Sequence, residues 1–340
     1  MPRLMRILSI DGGGIRGIIP AQILVTLEDI LRKRTGNPNA KIADYFDLIA
    51  GTSAGGILTC FYLCPEEGNK NKVRYSAEHA LEFYVEKGHK IFSNSLMGRI
   101  KSVGGWNDEM YPDYELKKVL RSYFGLKKLS DLVKPCLITS YDIERRCAHF
   151  FTQHNAKKDR SRDYFIRNVA RATSAAPTYF EAAKIKSLDS ISYCLIDGAM
   201  FANNPALCAY AETRKLEHKP TGENMLLLSI STGNIKTEYS YEKAKDWGKI
   251  GWIRPSLDIM MSGVSETVDY QLREVFEAVN KGEQYLRIDP ALDKNNSQLA
   301  ELDNASHGNV ETLLKIGASV ADKYYTDLEK IAMKLIDNNI

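Results

Sequence analysis

Short apolar runs bounded by glycine alternate along this chain with longer stretches whose apolar residues recur at helical spacing. Residues 6–10, Arg-Ile-Leu-Ser-Ile, stop at Asp11 and three glycines, the pattern of a buried strand. Ile23, Leu24, Leu27, Ile30 and Leu31 then share one helical face, and Pro20 suits a first turn, where a missing N–H costs little. This predicts a helix over 20–34. Residues 47–50 predict a second strand, leading through Gly51–Gly56 into an apolar helical stretch at 57–63. Further strands are predicted at 135–141, 193–196, 225–231 and 284–288. Helices are predicted near 77–90, 113–124, 163–173, 205–218, 263–280 and 309–336. Strands alternating with helices of this length predict an α/β protein with a mostly parallel central sheet flanked by helices on both faces. Two stretches, 92–112 and 235–255, read as irregular, and both carry tryptophan. Without a fixed-period repeat or a boundary signal, a single domain over 1–340 is expected, its core at about 6–320 and its closing helix at about 309–336.

Composition narrows this picture by exclusion. The 340 residues are 44% apolar and 26% charged, with a formal net charge of +3, ordinary for a globular chain and without the clustered basic residues of a nucleic-acid binder. No run approaches a membrane span, and the glycines after Ile10 rule out a signal-peptide core. The six cysteines (Cys60, Cys64, Cys136, Cys147, Cys194, Cys208) show neither a CxxC pair nor zinc-like spacing. They read mostly as core thiols in a reducing compartment, so a cytoplasmic location is expected. The 23 glycines are unevenly spread, with seven at positions 12, 13, 14, 17, 51, 55 and 56.

The first cluster, Asp11-Gly-Gly-Gly-Ile-Arg-Gly17, has three readings. Its spacing satisfies a GxGxxG dinucleotide fingerprint, but the next strand comes about 30 residues later and ends in Gly51-Thr52 without the acid that a ribose requires. The phosphate loop of sugar-kinase and actin-like ATPases joins a hairpin, whereas this loop leads into a helix. The third reading is a preorganised anion site made by backbone N–H groups at a helix N-terminus. The second cluster, Gly51-Thr-Ser-Ala-Gly55, is GxSxG between a strand and a helix, the setting of a nucleophile elbow. A serine nucleophile needs a base. His79, His89, His149, His154, His218 and His307 are available, but a triad histidine would come late in the chain, the late His218 and His307 lack turn signals tying them to a strand end, and all six read as solvated or core histidines. Asp197, on a glycine turn after a strand, is the remaining candidate.

Together these residues resemble the patatin-like phospholipase family. Asp11–Gly17 is similar to its oxyanion loop, Gly51–Gly55 to its elbow, and Asp197-Gly-Ala199 with Asn203-Asn-Pro205 to its DGG/DGA element. Residues 172–180, 229–233, 285–288 and 303–309 are similar too, so the likeness spans roughly 6–320. The resemblance implies a three-layer α/β/α fold and a lipid acyl hydrolase of phospholipase A or lysophospholipase type. It implies Ser53 as nucleophile, Asp197 as base, Gly12, Gly13 and Gly14 as the oxyanion hole, and Arg16 as a support of that loop. Neither metal nor other cofactor is implied. The expected partners are membrane phospholipids or galactolipids met in transient, peripheral membrane contact, without a nucleic-acid polymer; a homo-oligomer is compatible. A general esterase or galactolipase is the nearest alternative. Others are a storage or binding protein with incidental esterase activity, and a phospholipase effector of antiphage defence activated by a cyclic dinucleotide. Leu96, Met97, Trp106, Met110, Tyr111, Trp247, Trp252, Met260 and Met261 are candidates to line a lipid approach or cover the core, and residues 157–162 read as a basic solvated loop.

Overall fold

A computed structural model describes residues 3–91, 113–216, 219–236 and 238–338. Its main sheet has eight strands: β1 (Met5–Ile10), β2 (Leu48–Thr52), β5 (Cys136–Asp142), β6 (Cys147–Phe151), β7 (Ala183–Lys186), β8 (Ser192–Asp197), β9 (Met225–Ile230) and β10 (Tyr285–Ile288). The remaining two, β3 (Pro65–Glu66) and β4 (Asn69–Val73), form a separate small hairpin. The order is β10-β9-β1-β2-β5-β8-β7, with β6 also on β5. The five strands from β10 to β5 are parallel, while β6 and β8 run antiparallel to β5 and β7 antiparallel to β8. The expected parallel sheet is therefore its central part, extended by an antiparallel flank.

Alternation along the strands sends side chains to two cores. Leu8, Ile10, Ile49, Leu226, Leu228 and Ile230 face the larger one, shared with helices Ile18–Thr35, Ala54–Leu63, Ala77–Ile91 and His307–Lys323. Ile7, Leu48, Ala50, Leu137 and Leu227 face the other, closed by Ala206 and Ala209 of helix Ala206–Thr213 and by Val268, Leu272 and Phe276 of helix Lys249–Glu277. Helices thus cover both faces, as a sheet hydrophobic on both sides requires.

Several expectations are corrected. Residues 249–255 are not irregular: they begin helix Lys249–Glu277, which carries Pro255 internally. The glycines at 248 and 251 and the proline suggest a break, but the helix is fixed further along by Val268, Leu272 and Phe276. The closing stretch is two helices, His307–Lys323 and Tyr325–Asp337, parted at Tyr324 (φ −97°, ψ 11°), because an unbroken apolar period carries no signal for the turn. Helix Ala206–Thr213 is shorter than expected. Only Cys60, Cys64 and Cys136 are buried, whereas Cys147 is exposed. Residues 157–162 include a short helical turn, Arg160–Arg162, begun by Asp159. Residues 92–112, with Leu96, Met97, Trp106, Met110 and Tyr111, lie outside the described residues. Trp247 and Trp252 stack edge to face at 4.9 Å, with Trp252 and Met260 exposed. No helix among the described residues is long and apolar enough to cross a membrane.

Candidate active site

The register of β5 brings two distant parts of the sequence together. Ile138 and Thr139 pair with both β2 and β6, so those strands lie on opposite edges of β5. Ser140 to Asp142 pair with both β6 and β8, which puts β8 on the same edge as β2. β2 ends at Thr52 opposite Thr139, and β8, running the other way, ends at Asp197 opposite Ser140. The two strands meet end to end, and Ser53 and Asp197 stand at the junction.

Ser53 forms the turn between β2 and helix Ala54–Leu63 at φ 53°, ψ −117°. A non-glycine residue rarely adopts such a backbone, and holding it there costs about 1–3 kcal/mol. The surroundings impose it. The Ser53 N–H donates to Thr173 Oγ1 (2.9 Å), whose hydroxyl donates to the Thr139 carbonyl (2.7 Å). The Ser53 carbonyl accepts the N–H of Ile57 (3.0 Å) as a first helical bond. Thr52 Oγ1 donates to the Ala202 carbonyl (2.6 Å), tying the elbow to the segment after Asp197. The Ser53 side chain is left at the helix N-terminus, where a developing negative charge is favoured.

Asp197 is 1% exposed. Its Oδ1 accepts the Ala199 N–H (2.8 Å), while Oδ2 is buried without a hydrogen-bond partner among the described residues. Burial pushes the carboxyl up to about 7, against the opposing pull of the Ser53 hydroxyl and the Ala199 N–H. The hydroxyl is thus close enough to be felt by the carboxylate, although the contact falls short of strict hydrogen-bond geometry; such contacts commonly tighten only when substrate binds.

The glycine loop crosses in front of this pair and is clamped at several points. The Asp11 N–H donates to the Ile230 carbonyl (3.0 Å) and the Gly12 N–H to the Asn203 carbonyl (3.1 Å). The Gly12 carbonyl accepts Thr232 Oγ1 (2.7 Å), and the Ile15 N–H donates to the Leu302 carbonyl (2.8 Å). The N–H groups of Gly13 and Gly14 have no acceptor among the described residues. A Cβ on Gly12 would stand 3.2 Å from Ser53 Cβ and 2.6 Å from Asn203 Oδ1, so loop and elbow touch through the missing side chain. Gly14 has φ +56°, and a Cβ there would lie 2.2 Å from the Leu302 carbonyl oxygen. Backbone cannot yield as a side-chain tip can. Gly14→Ala is therefore expected to move the loop and lower ester hydrolysis by about 10²–10³-fold, the scale of one lost oxyanion donor, as read by initial rates.

Below the loop, Asp11 and Arg287 form a buried two-point ion pair (Nη1–Oδ1 2.8 Å, Nη2–Oδ2 2.6 Å). Burial raises the Asp11 carboxyl to about 6 despite the guanidinium, so both partners remain charged at neutral pH. Arg16, half-buried, donates from Nη1 to the Gly233 carbonyl (3.3 Å). Burial lowers its pKa to about 10, with Tyr179 and Asp258 opposing. The four histidines with described polar partners or packing are engaged elsewhere. His79 bonds Ser76, His154 bonds Glu212, His307 pairs with Glu311, and His149 lies among the rings of Phe151, Tyr164 and Tyr193. His89 is exposed, and His218 lies outside the described residues. Among the described residues no cluster of three His, Cys, Asp or Glu side chains could hold a metal ion.

Thr173, Thr232 and Arg287 fall within segments quoted for the family resemblance, yet their roles as clamps depend on pairings that only the folded chain reveals. Asn203 acts through its backbone carbonyl, for which side-chain identity carries no signal.

Residues 8–210 match the family model for patatin-like phospholipase. Patatin-like protein 2 of Oryza sativa subsp. indica is 33% identical, over 94% of this chain and 84% of the rice protein. Patatin-like protein 1 of Arabidopsis thaliana is 34% identical, over 92% and 80%. Patatin-08 of Solanum tuberosum is 33% identical, over 95% and 85%. The chain belongs to the patatin-like phospholipase family, whose chemistry is the hydrolysis of lipid acyl esters. Among solved structures, VipD from Legionella pneumophila has a TM-score of 0.37 at 11% identity, covering 92% of this chain and 67% of VipD. The ExoU–SpcU complex of Pseudomonas aeruginosa has a TM-score of 0.32 at 14% identity, with 92% and 52% covered.

Proposed function

We propose that this protein cleaves fatty-acyl esters of membrane phospholipids with Ser53 as nucleophile and Asp197 as its base. The observation that carries the reading is the pairing of a serine on a strained turn with a buried carboxylate oxygen that has no other partner among the described residues, beside a loop with two N–H groups that have no acceptor among them. Asp197 takes the hydroxyl proton as Ser53 Oγ attacks the ester carbonyl carbon. The carbonyl oxygen becomes an oxyanion, received by the N–H groups of Gly13 and Gly14. When the tetrahedral intermediate collapses, the glycerol oxygen leaves with the proton from Asp197, and the fatty acyl group stays on Ser53. Water then attacks, giving a proton to Asp197; the acid is released and the proton returns to Ser53. Arg16 supports the loop through the Gly233 carbonyl. The substrate's location requires transient, peripheral contact with a membrane surface.

A base that works only when ionised gives a rate that rises with pH. With the carboxyl near 7, kcat/KM is expected to climb about tenfold per pH unit below 7 and level off above it. A flat profile from pH 5 to 8 would contradict Asp197 as the base. The substrate reading is tested by product analysis on dispersions of phosphatidylcholine, of monogalactosyldiacylglycerol and of lysophosphatidylcholine. Free fatty acid and the matching deacylated lipid are expected from the phospholipids. Release from galactolipid alone would reassign the substrate.

A further inference from the structure

The glycine loop is built from the start of the chain, yet what holds it from beneath comes from near the end. Arg287 lies on β10, the edge strand of the sheet, opposite Ser229 of β9, which in turn faces Ser9 of β1. Its guanidinium spans β9, donating to Ser229 Oγ (2.7 Å) and reaching both oxygens of Asp11 just beyond β1. Both side chains of the ion pair are 3% exposed. A buried pair of this kind gives little net stability over apolar packing, because desolvating two charges offsets most of their attraction. A planar, two-point contact does fix position and orientation. Asp11 is the residue directly before Gly12, and the loop has two more anchors from the same late part of the chain, Thr232 on the Gly12 carbonyl and the Leu302 carbonyl on the Ile15 N–H. Arg287, Thr232 and Leu302 all lie beyond the 8–210 span matched by the family model.

We infer that Arg287 is a positioning residue: through Asp11 it sets the height and tilt of the Gly12–Gly14 loop against Ser53. The inference rests on the proposed role of Gly13 and Gly14 as oxyanion donors. It makes the edge strand β10 part of what determines the rate, although Arg287 reaches the loop only through Asp11.

The test uses the full chain, a soluble p-nitrophenyl ester, thermal melting and labelling by a fluorophosphonate. Arg287→Lys keeps the charge but not the fork. The double variant Asp11→Asn with Arg287→Gln removes both charges, so no unpaired charge is buried, and it decides the matter should the single variant not fold. Leu272→Ala, in the core on the same face of the sheet, supplies a loss of melting temperature without touching the loop. In the folded Arg287 variants kcat is expected to fall by about 10–100-fold with KM within about threefold, part of the effect of losing a donor outright. Labelling is expected to slow in step, while Leu272→Ala keeps kcat within about twofold. Wild-type kcat in the folded variants, or an equal kcat loss in Leu272→Ala at a matched loss of melting temperature, would overturn the inference alone. A wild-type protein labelled at a residue other than Ser53 would overturn the underlying reading as well.

Discussion

Replacing Ser53 by alanine is expected to lower ester hydrolysis by about 10⁶-fold, the scale seen when a serine hydrolase loses its nucleophile. On the proposed mechanism no accessory group replaces it, because the Gly12–Gly14 loop would stabilise a tetrahedral intermediate without being able to form the acyl bond. The fold should survive. Among the described residues the Ser53 hydroxyl makes no hydrogen bond of strict geometry, and the bonds that hold the turn come from its backbone N–H and carbonyl, which alanine retains. Asp197 also responds, since the hydroxyl is the leading influence holding its carboxyl down against burial. Its removal should shift that group further upward. Melting temperature, initial rate and the carboxyl titration of the variant check these three expectations together. A rate that stays within tenfold of wild type would reject Ser53 as the nucleophile.

The Asp197→Asn variant is expected to lose about 10⁴-fold in kcat, comparable to disabling the acid–base partner of a serine nucleophile, and to be more stable than the parent at neutral and alkaline pH. The two effects share one cause. Burial places the native carboxyl near 7, well above its ordinary 3.8. Between those values the folded protein holds a proton that the unfolded chain has released, so folding stability falls as pH rises from about 4 to about 7. The full benefit of this group is present below pH 4 and is gone above 7. Three pKa units correspond to an upper bound on the order of 4 kcal/mol. Asparagine is neutral throughout and can still accept the Ala199 N–H, so it escapes that loss. The variant should therefore melt higher than wild type above pH 7, with the gap narrowing towards pH 4. A gap that widens on acidification would mean that Asp197 is stabilised as an anion, contrary to its buried Oδ2, which has no hydrogen-bond partner among the described residues.

Much of the central architecture was legible because it rests on local signals. β1 and β2 are short apolar runs stopped by glycine, and the helices after them carry regular apolar faces, so the strand–loop–helix and strand–elbow–helix units follow from period and punctuation. The antiparallel flank was partly hidden. β6, from Cys147 to Phe151, and β7, from Ala183 to Lys186, are short and half-exposed, with lysine, histidine and cysteine where a core strand has apolar residues. Pairing with β5 and β8 makes them strands, and such pairing is a tertiary effect. The same holds for the site. Ser53 and the glycine loop announce themselves by motif, and Asp197 stands out once the histidines lack a structural setting. That β2 and β8 meet on one edge of β5 is a matter of register, which a linear reading does not contain. The Arg287–Asp11 pair, 276 positions apart, shows this most clearly.

Trapping the covalent intermediate tests the central claim most directly. The 340-residue chain, mixed with phosphatidylcholine vesicles and quenched in acid within the first turnovers, is digested and analysed by mass spectrometry. The peptide containing Gly51–Gly55 is expected to carry one fatty-acyl group on Ser53, preserved by the acid quench because deacylation needs an ionised base. The Ser53→Ala variant should show no acyl peptide. An acyl group on another residue, or fatty-acid release at the wild-type rate from Ser53→Ala, would contradict the account.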